Sequence, residues 1–303
     1  MNKPQSTTCP ACGATGTDHE LRVPDHEYGV AFVATYVRCA SCASEFQSPM
    51  PDDAALGSFY PSDYHSMSAD GLLVRVRNAM RWKRLAALLP GEGILLDYGC
   101  GEGQFLHYAA EQAPQRRFFG YEIAADREVR ESLGGRVTLV RGTPDDLLDV
   151  LPACALITMN HVIEHLPEPT AILRRLVERL VPGGVLEGQT PAAGSLEQSI
   201  FGHRWSGYHA PRHTVVFSQA GLDRVLQRSG LAAPEVHGTF NPAGLALSLA
   251  SLRHGEAGGT LHRAGPLWLA GLAAASGLSI FDRLSGRPAV VDFVARRPHE
   301  AAQ

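Results

Sequence analysis

Residues 93–111 read GILLDYGCGEGQFLHYAAE: a short apolar run, a turn with glycine at every second position, then an amphipathic stretch. The pattern predicts a strand, a tight loop and a helix. Gly99, Gly101 and Gly103 allow a ligand to approach the backbone closely, and the helix that follows presents its amide-rich amino terminus to the same place. Glycine alone is weak evidence. Its weight here comes from Asp97 at the strand end and from a second strand, RRFFGYEIA (116–124), whose Glu122 is an acid placed to hold ribose hydroxyls. A dinucleotide-binding dehydrogenase fits less well, because its Gly-x-Gly-x-x-Gly spacing needs glycine where this chain has Gln104.

Downstream, VTLV (137–140), ALITM (155–159) and GGVLEGQ (183–189) read as a third, fourth and fifth strand. Pro182, Gly183 and Gly184 would end the helix before the fifth. A helix is expected over Gln219 to Ser229, and AVVDFVARRP (289–298) reads as the last strand. Alternating strands and helices predict an α/β, doubly wound sheet. Its ligand would lie at the carboxyl ends of the strands, where Asp97, Glu122, Thr143 and Asn160 fall.

The segment DYGCGEG (97–103) resembles motif I of class I S-adenosylmethionine-dependent methyltransferases, and HVIEHLPEP (161–169) is similar to a later segment of the same family. The resemblance implies a Rossmann-like sheet of seven strands. It implies S-adenosyl-L-methionine as cofactor, with Asp97, Tyr98, Gly99, Gly101 and Gly103 at its methionine end and Glu122 at its ribose. Thr143, Pro144 and Asp145 would lie near the adenine, and Asn160 would border the same cleft. Many relatives carry aspartate where this chain has Thr143 and Ala155, so the adenine contacts are the part it matches least.

Five of the 13 histidines, His161, His165, His203, His209 and His213, follow the fourth and fifth strands, above where a sulfonium would sit in this fold. The segment RWSGYHAPRHTVVFS (204–218) resembles the acceptor-site segment of methyltransferases from sugar and surface-polysaccharide pathways. It is also similar to the Tyr-His-Glu-His segment of zinc-containing deoxysugar C-methyltransferases. On that resemblance His213 is the general base, with Tyr208, His209 and His165 beside it. Arg212 replaces the glutamate and would suit an anionic acceptor, such as a nucleotide- or lipid-linked sugar. The plainer alternatives are that His165 packs a helix start and that His213 fixes the loop by bonding backbone.

Six cysteines remain to be explained. Cys9 and Cys12 in TCPACGA, and Cys39 and Cys42 in RCASCAS, form two Cys-x-x-Cys pairs, the thiolate set that tetrahedral zinc prefers. Strand-like Val30 to Val37 between them suits a hairpin. Residues 1–50 therefore read as a zinc ribbon with one structural zinc per chain, short of apolar core and folded by its metal. The opening MNKPQSTTCPAC lacks a secretory pattern, so reduced thiols and a cytoplasmic location are expected.

Residues 51–85 read as a linker and a helix leading into the sheet, with Tyr60, Tyr64 and His65 as a candidate lid. The basic run RVRNAMRWKR (75–84) reads as a solvated helix face. Residues 86–303 form the catalytic domain, with an apolar helical insertion near 240–283. Its segment 264–281 is expected to be a buried helix, with peripheral membrane docking or a subunit contact as alternatives. A net charge of -4 disfavours nucleic acid as partner. The resulting expectation is methyl transfer to a small-molecule acceptor. An RNA methyltransferase gripping its substrate through the ribbon, and a non-catalytic binding module, are the alternatives.

Overall fold

The computed structural model describes residues 8–60, 72–89, 91–253 and 266–299. Two sheets organise them. The smaller begins with β1 (Thr17–Pro24), β2 (Val33–Cys39) and β3 (Glu45–Gln47). Helices α1 (Asp53–Ser58) and α2 (Leu72–Leu88) lead into the larger sheet. That sheet begins β4 (Ile94–Tyr98), α3 (Gln104–Gln112), β5 (Phe118–Ile123), β6 (Glu128–Ser132) and β7 (Val137–Gly142). It continues through α4 (Pro144–Leu148), β8 (Cys154–Asn160), α5 (Pro169–Arg179), β9 (Leu180–Pro191) and α6 (Leu196–Phe201). The chain ends with β10 (Val215–Val216), α7 (Gln219–Arg228), β11 (Ala232–Gly238), α8 (Pro242–Ser251), α9 (Pro266–Leu284) and β12 (Val290–Arg296).

The larger sheet has eight strands in the order β11-β12-β9-β8-β4-β5-β7-β6. β4, β5, β7, β8 and β9 are parallel, β12 is antiparallel to β9, and β6 is antiparallel to β7. Consecutive residues of the central strands enter opposite cores. Leu95, Phe118, Leu156 and Val185 pack with α2 and α3, while Leu96, Phe119, Ile157 and Leu186 pack with α4, α5 and α7. Burial on both faces is why these strands read as continuous apolar runs.

The expected count of seven strands is corrected to eight. The additional β6 is an edge strand of mostly exposed residues, EVRES, with no apolar alternation to announce it. A second correction concerns Pro182, Gly183 and Gly184. The helix already ends at Arg179, and these residues lie within β9 where its register to β8 shifts between Cys154 and Leu156. Gly183 takes φ +76°, a conformation glycine supplies without strain.

The smaller sheet has the order β1-β2-β3-β10, and its fourth strand comes from the far end of the chain: Val215 pairs with Phe46 and Val216 with Glu45. Cys9, Ala11, Cys39, Cys42 and Phe46 share a core with Leu222, Val225 and Leu226 of α7. The cysteine lobe and the larger sheet are thus continuous in both hydrogen bonding and packing.

α9 lies against α8, burying Ala275 with Leu245 and Ala246, while Ile280, Phe281 and Leu284 are exposed. The expected burial of this helix therefore applies to one of its faces. Among the described residues, no helix is long and apolar enough to cross a membrane. Tyr64 and His65 of the candidate lid, and residues 264 and 265, lie outside the described residues.

Candidate active site

Strand order reverses about β4, whose neighbours are β5 on one side and β8 on the other, and this opens a crevice at their carboxyl ends. The glycines of the β4–α3 turn divide the work there. A Cβ on Gly99 would meet Val162 Cγ2 at 2.4 Å, and one on Gly103 would meet Leu139 at 2.8 Å. Those two are packing glycines. A Cβ on Gly101 would meet nothing within 4 Å, so Gly101 faces the open crevice. The Gly101 N–H donates to Glu122 Oε2 at 2.7 Å, bringing the two predicted cofactor residues together across two strands. α3 begins at Gly103 with no side-chain cap, which leaves its first amides available to a ligand.

Asp97 is buried. One carboxylate oxygen accepts from Arg81 at 2.6 Å and the other, Oδ2, has no partner among the described residues. Burial pushes its carboxyl up, against the opposing pull of Arg81. Arg81 also lies 4.0 Å over the Phe105 ring. Asn160, with its amide oxygen turned towards Arg81, accepts from it at 2.8 and 3.0 Å. Arg84, one turn on, pairs with Glu187 at 2.6 Å and Asp292 at 3.0 Å. The expectation of a solvated basic face is therefore wrong for Arg81 and Arg84, which reach across the strand ends to buried acids. Their i, i+3 spacing on one helix face was the available signal.

The remaining expected cofactor residues are more peripheral. Thr143 caps α4, its hydroxyl accepting from Asp146 N–H at 3.3 Å while Asp146 accepts back from the Thr143 amide at 2.8 Å. Tyr98 and Pro144 line a small crevice with Leu148, Ile172 and Arg175, and the Tyr98 ring lies 4.6 Å from that of Tyr121. Asp145 is exposed and pairs with Arg175.

Val162, which closes on Gly99, also begins the histidine cluster. His161, His165, His209 and His213 come together, with ring centroids of His165 and His213 4.6 Å apart and of His209 and His213 4.9 Å apart. The ring of His203 instead faces His26, at 5.6 Å. His213 Nδ1 is 2.8 Å from the Gly207 carbonyl, which can only accept, so Nδ1 carries the proton and Nε2 keeps its lone pair. That nitrogen lies 3.9 Å from Glu164 Oε1. Burial, with His165 and His209 alongside, pushes the His213 ring well below its usual pKa, so it is neutral. The plainer alternative for His213, a bond to backbone, thus accounts for one ring nitrogen and leaves the other facing Glu164.

Glu164 is fully buried. It accepts from Thr190 Oγ1 at 2.9 Å and from His161 Nδ1 at 3.1 Å. Burial works against its charge, but the His161 hydrogen bond and charge hold its carboxyl below the usual range. Burial also opposes protonation of His161, yet Glu164 raises that ring overall. The other His161 nitrogen meets Gln189 Oε1 at 2.9 Å, and the Gln189 amide donates to Asp292 at 2.8 Å. Both His161 nitrogens therefore face acceptors, the arrangement of an imidazolium paired with a carboxylate.

His165 Nδ1 sits 3.1 Å from the Arg212 carbonyl and 2.8 Å from the Tyr60 hydroxyl, and burial lowers its pKa to about 4. His209 is differently placed. Its Nε2 accepts from Arg212 at 3.0 Å and its Nδ1 donates to Glu27, so both nitrogens are engaged. Burial, then the Arg212 charge, lowers its pKa to about 3. Tyr208 donates to Glu45 at 2.5 Å and accepts from Gln198 at 2.8 Å, so its hydroxyl is spent inside the loop. Arg212 corrects an expectation outright. It is fully buried and its guanidinium forks onto Asp25 with two 3.0 Å bonds, so it is not offered to an anionic acceptor.

Away from the cleft, the four cysteines Cys9, Cys12, Cys39 and Cys42 converge, all sulfurs lying within 4.8 Å of one another. Cys9 Sγ and Cys42 Sγ are 3.7 Å apart, and Cys12 Sγ and Cys39 Sγ 3.6 Å. The edge of a tetrahedron with metal–sulfur bonds of about 2.3 Å is about 3.8 Å, so the donor set fits one tetrahedral ion. Cys100 and Cys154 stand apart, in the β4–α3 turn and at the start of β8.

A family model described as a methyltransferase domain matches residues 74–236. A trans-aconitate 2-methyltransferase of Sinorhizobium fredii is 35% identical over 101 residues, covering 33% of this chain and 38% of that protein. One from Deinococcus radiodurans is 30% identical over 110 residues, covering 36% and 42%. The chain thus spans about two fifths of the length of the curated relatives it matches. Among solved structures, a SAM dependent methyltransferase from Archaeoglobus fulgidus aligns at 17% identity with TM-score 0.47, over 73% of this chain and 94% of that one.

Proposed function

Since the chain belongs to the methyltransferase-domain family, as residues 74–236 establish, we propose that it transfers a methyl group from S-adenosylmethionine to a small-molecule acceptor, with His213 as the base. The observation behind this proposal is the meeting of two half-sites. An open glycine cradle follows the strand that ends in an orphaned Asp97 oxygen; Gly99 of that turn meets Val162, and two residues on Glu164 lies 3.9 Å from the His213 nitrogen that its tautomer leaves unprotonated.

The cofactor supplies a methyl group already activated on sulfur. The chain has to hold it, align the acceptor and take a proton. Asp97 and Arg81 offer paired opposite charges to the amino and carboxylate groups of the methionine end. Glu122 offers its carboxylate to the ribose hydroxyls, and Gly101 leaves the room. On the acceptor side, His213 Nε2 receives the proton. The resulting imidazolium is buried, and Glu164 at 3.9 Å provides the counter-charge that makes it tolerable. His161 and Thr190 keep Glu164 ionised and aimed. His165 lines the same space, while His209 and Tyr208 act by shaping the loop.

The acceptor we propose is a neutral hydroxyl compound of sugar or natural-product type. Arg81, Arg84 and Arg212 each face a carboxylate of the chain itself, so the described cleft offers a polycarboxylate such as trans-aconitate, the substrate in the relatives' names, a poorer fit. We also propose that the cysteine cluster holds one structural zinc, in keeping with its sulfur spacing.

Two variants separate the half-sites. Gly101→Val fills the cradle and should weaken S-adenosylhomocysteine binding at least about 100-fold by calorimetry. His213→Ala should keep that affinity within about threefold while turnover on a hydroxyl acceptor falls about 100-fold or more. Turnover of His213→Ala within a few-fold of wild type removes the base assignment. Wild-type protein that binds no S-adenosylhomocysteine removes the reaction.

A further inference from the structure

The loop carrying His213 is held by side chains from the opposite end of the sequence. Asp25, just after β1, is fully buried and accepts the backbone N–H groups of Glu27, Tyr28 and Val30 at 2.8, 3.0 and 3.1 Å. The same two oxygens take the fork of Arg212, from Nη1 and Nη2, at 3.0 Å each. Arg212 then donates to the carbonyls of Phe59 at 3.1 Å and Ala210 at 3.2 Å, and through Nε to His209. The carbonyl of His213 itself accepts the Tyr36 hydroxyl at 2.5 Å and the Gln47 amide at 2.9 Å. One residue of this loop, Arg212, therefore spends its whole guanidinium on fixing geometry, and the lobe supplies the anion.

We propose that the cysteine lobe is a positioning part of the acceptor site: Asp25, acting through Arg212, sets the direction in which His213 Nε2 faces Glu164. The inference deepens the function proposed above and rests on it for the role of His213. The cofactor cradle does not share the dependence, because Asp97 is paired with Arg81 and the Gly101 amide with Glu122, none of them lobe residues. The fork is the natural device for this purpose, since a bidentate guanidinium–carboxylate pair fixes angle as well as distance. The ladder between β3 and β10 joins the lobe to the same loop from below. Ser218, which caps α7, also donates to the carbonyl of Cys42, tying the cluster to the loop's far end. What happens at the four sulfurs is thereby felt at His213.

Removing one member of a buried pair strands the other, so Asp25→Asn alone confounds positioning with stability. The double variant Asp25→Asn/Arg212→Met removes both charges and keeps most of the volume. The readout is the proton signal of the His213 Nδ1–H held by the Gly207 carbonyl, assigned by its loss in His213→Gln. Calorimetric affinity for S-adenosylhomocysteine and zinc content are measured on the same samples. In the double variant we expect one zinc and cofactor-product affinity within threefold of wild type. The Nδ1–H signal should shift or exchange with solvent at least tenfold faster, and the melting temperature should exceed that of Asp25→Asn. A double variant with the wild-type signal and exchange rate overturns the proposal. So does a loss of S-adenosylhomocysteine affinity in step with the signal, which would mean general loosening. None of these readouts involves turnover, so they stand or fall separately from the assignment of His213 as base.

Discussion

Cys39→Ser protein is expected to purify with less than about a fifth of an equivalent of zinc and to melt about 10–20 °C below wild type. Structural zinc bound by thiolates contributes on the order of 10 kcal/mol or more, which is comparable to the whole stability of an ordinary domain. Here the loss cannot stay local. Cys39 ends β2 and is buried with Cys9, Cys42 and Phe46 in a core that includes Leu222 and Val225 of α7. β3 next to it carries β10. With an unfolding entropy of about 0.6 kcal/mol/K for 303 residues, losing about 10 kcal/mol corresponds to a fall of about 16 °C, within the stated range. Elemental analysis and scanning calorimetry on the same preparation check it. Full zinc occupancy with an unchanged transition rules out the metal assignment.

Acid should destabilise the protein through its histidine rings. His213 is buried and His165 and His209 are half-buried; desolvation keeps all three rings neutral, with the pKa lowered to about 4 for His165, to about 3 for His209, and well below the ordinary value for His213. In the unfolded chain each takes up a proton below about 6.5. Between that pH and about 4 the unfolded state binds more protons than the native state, so stability rises with pH across this window and levels off above it. For His165 and His209 the cost from pH 7 to pH 5 is about 2 kcal/mol each, and His213 adds to it in the same direction. His161 works the other way. Its raised pKa contributes stability that is complete below 6.5 and lost as pH climbs through the folded value, so it offsets part of the fall. Glu164, lowered, contributes above its unfolded pKa near 4.3 and is constant over the same interval. Glu197, whose carboxyl burial raises to about 8, holds its proton in the native state over the same interval and offsets about 2–3 kcal/mol of the fall. Urea unfolding at pH 7 and pH 5 should therefore differ by about 2–3 kcal/mol. Equal stabilities at the two pH values would show that the rings are already charged, or solvated, in the native state.

What could be read from the sequence and what could not divide along a physical line. The glycine turn after β4 and the placing of Glu122 at the end of β5 were legible because strand, turn and acid are determined by short-range pattern, and parallel strands have only one way to bring their carboxyl ends together; the bond between Gly101 and Glu122 came only with the structure. The convergence of Cys9, Cys12, Cys39 and Cys42 was legible because two such pairs can satisfy one ion. His165, His209 and His213 were expected to gather and do. The role of Arg212 was not legible. A guanidinium in a loop names no partner, and its carboxylate lies 187 positions away. Asp25 and Glu27 gave no local sign of reaching the histidine loop. Arg81 was misread because helical position shows which side of the helix a residue is on but not which neighbour that side meets. β6 escaped because an exposed edge strand carries no apolar period. β10 is only two residues long, too short to be recognised before its partner is seen.

The most direct measurement is a crystal structure with zinc and S-adenosylhomocysteine bound. The account predicts the amino-acid end of the ligand at Asp97 and Arg81, the ribose hydroxyls on Glu122, and the sulfur opening onto the space bounded by His165, His213 and Glu164. A ligand whose sulfur faces away from His213, or whose ribose lies elsewhere than at Glu122, contradicts it.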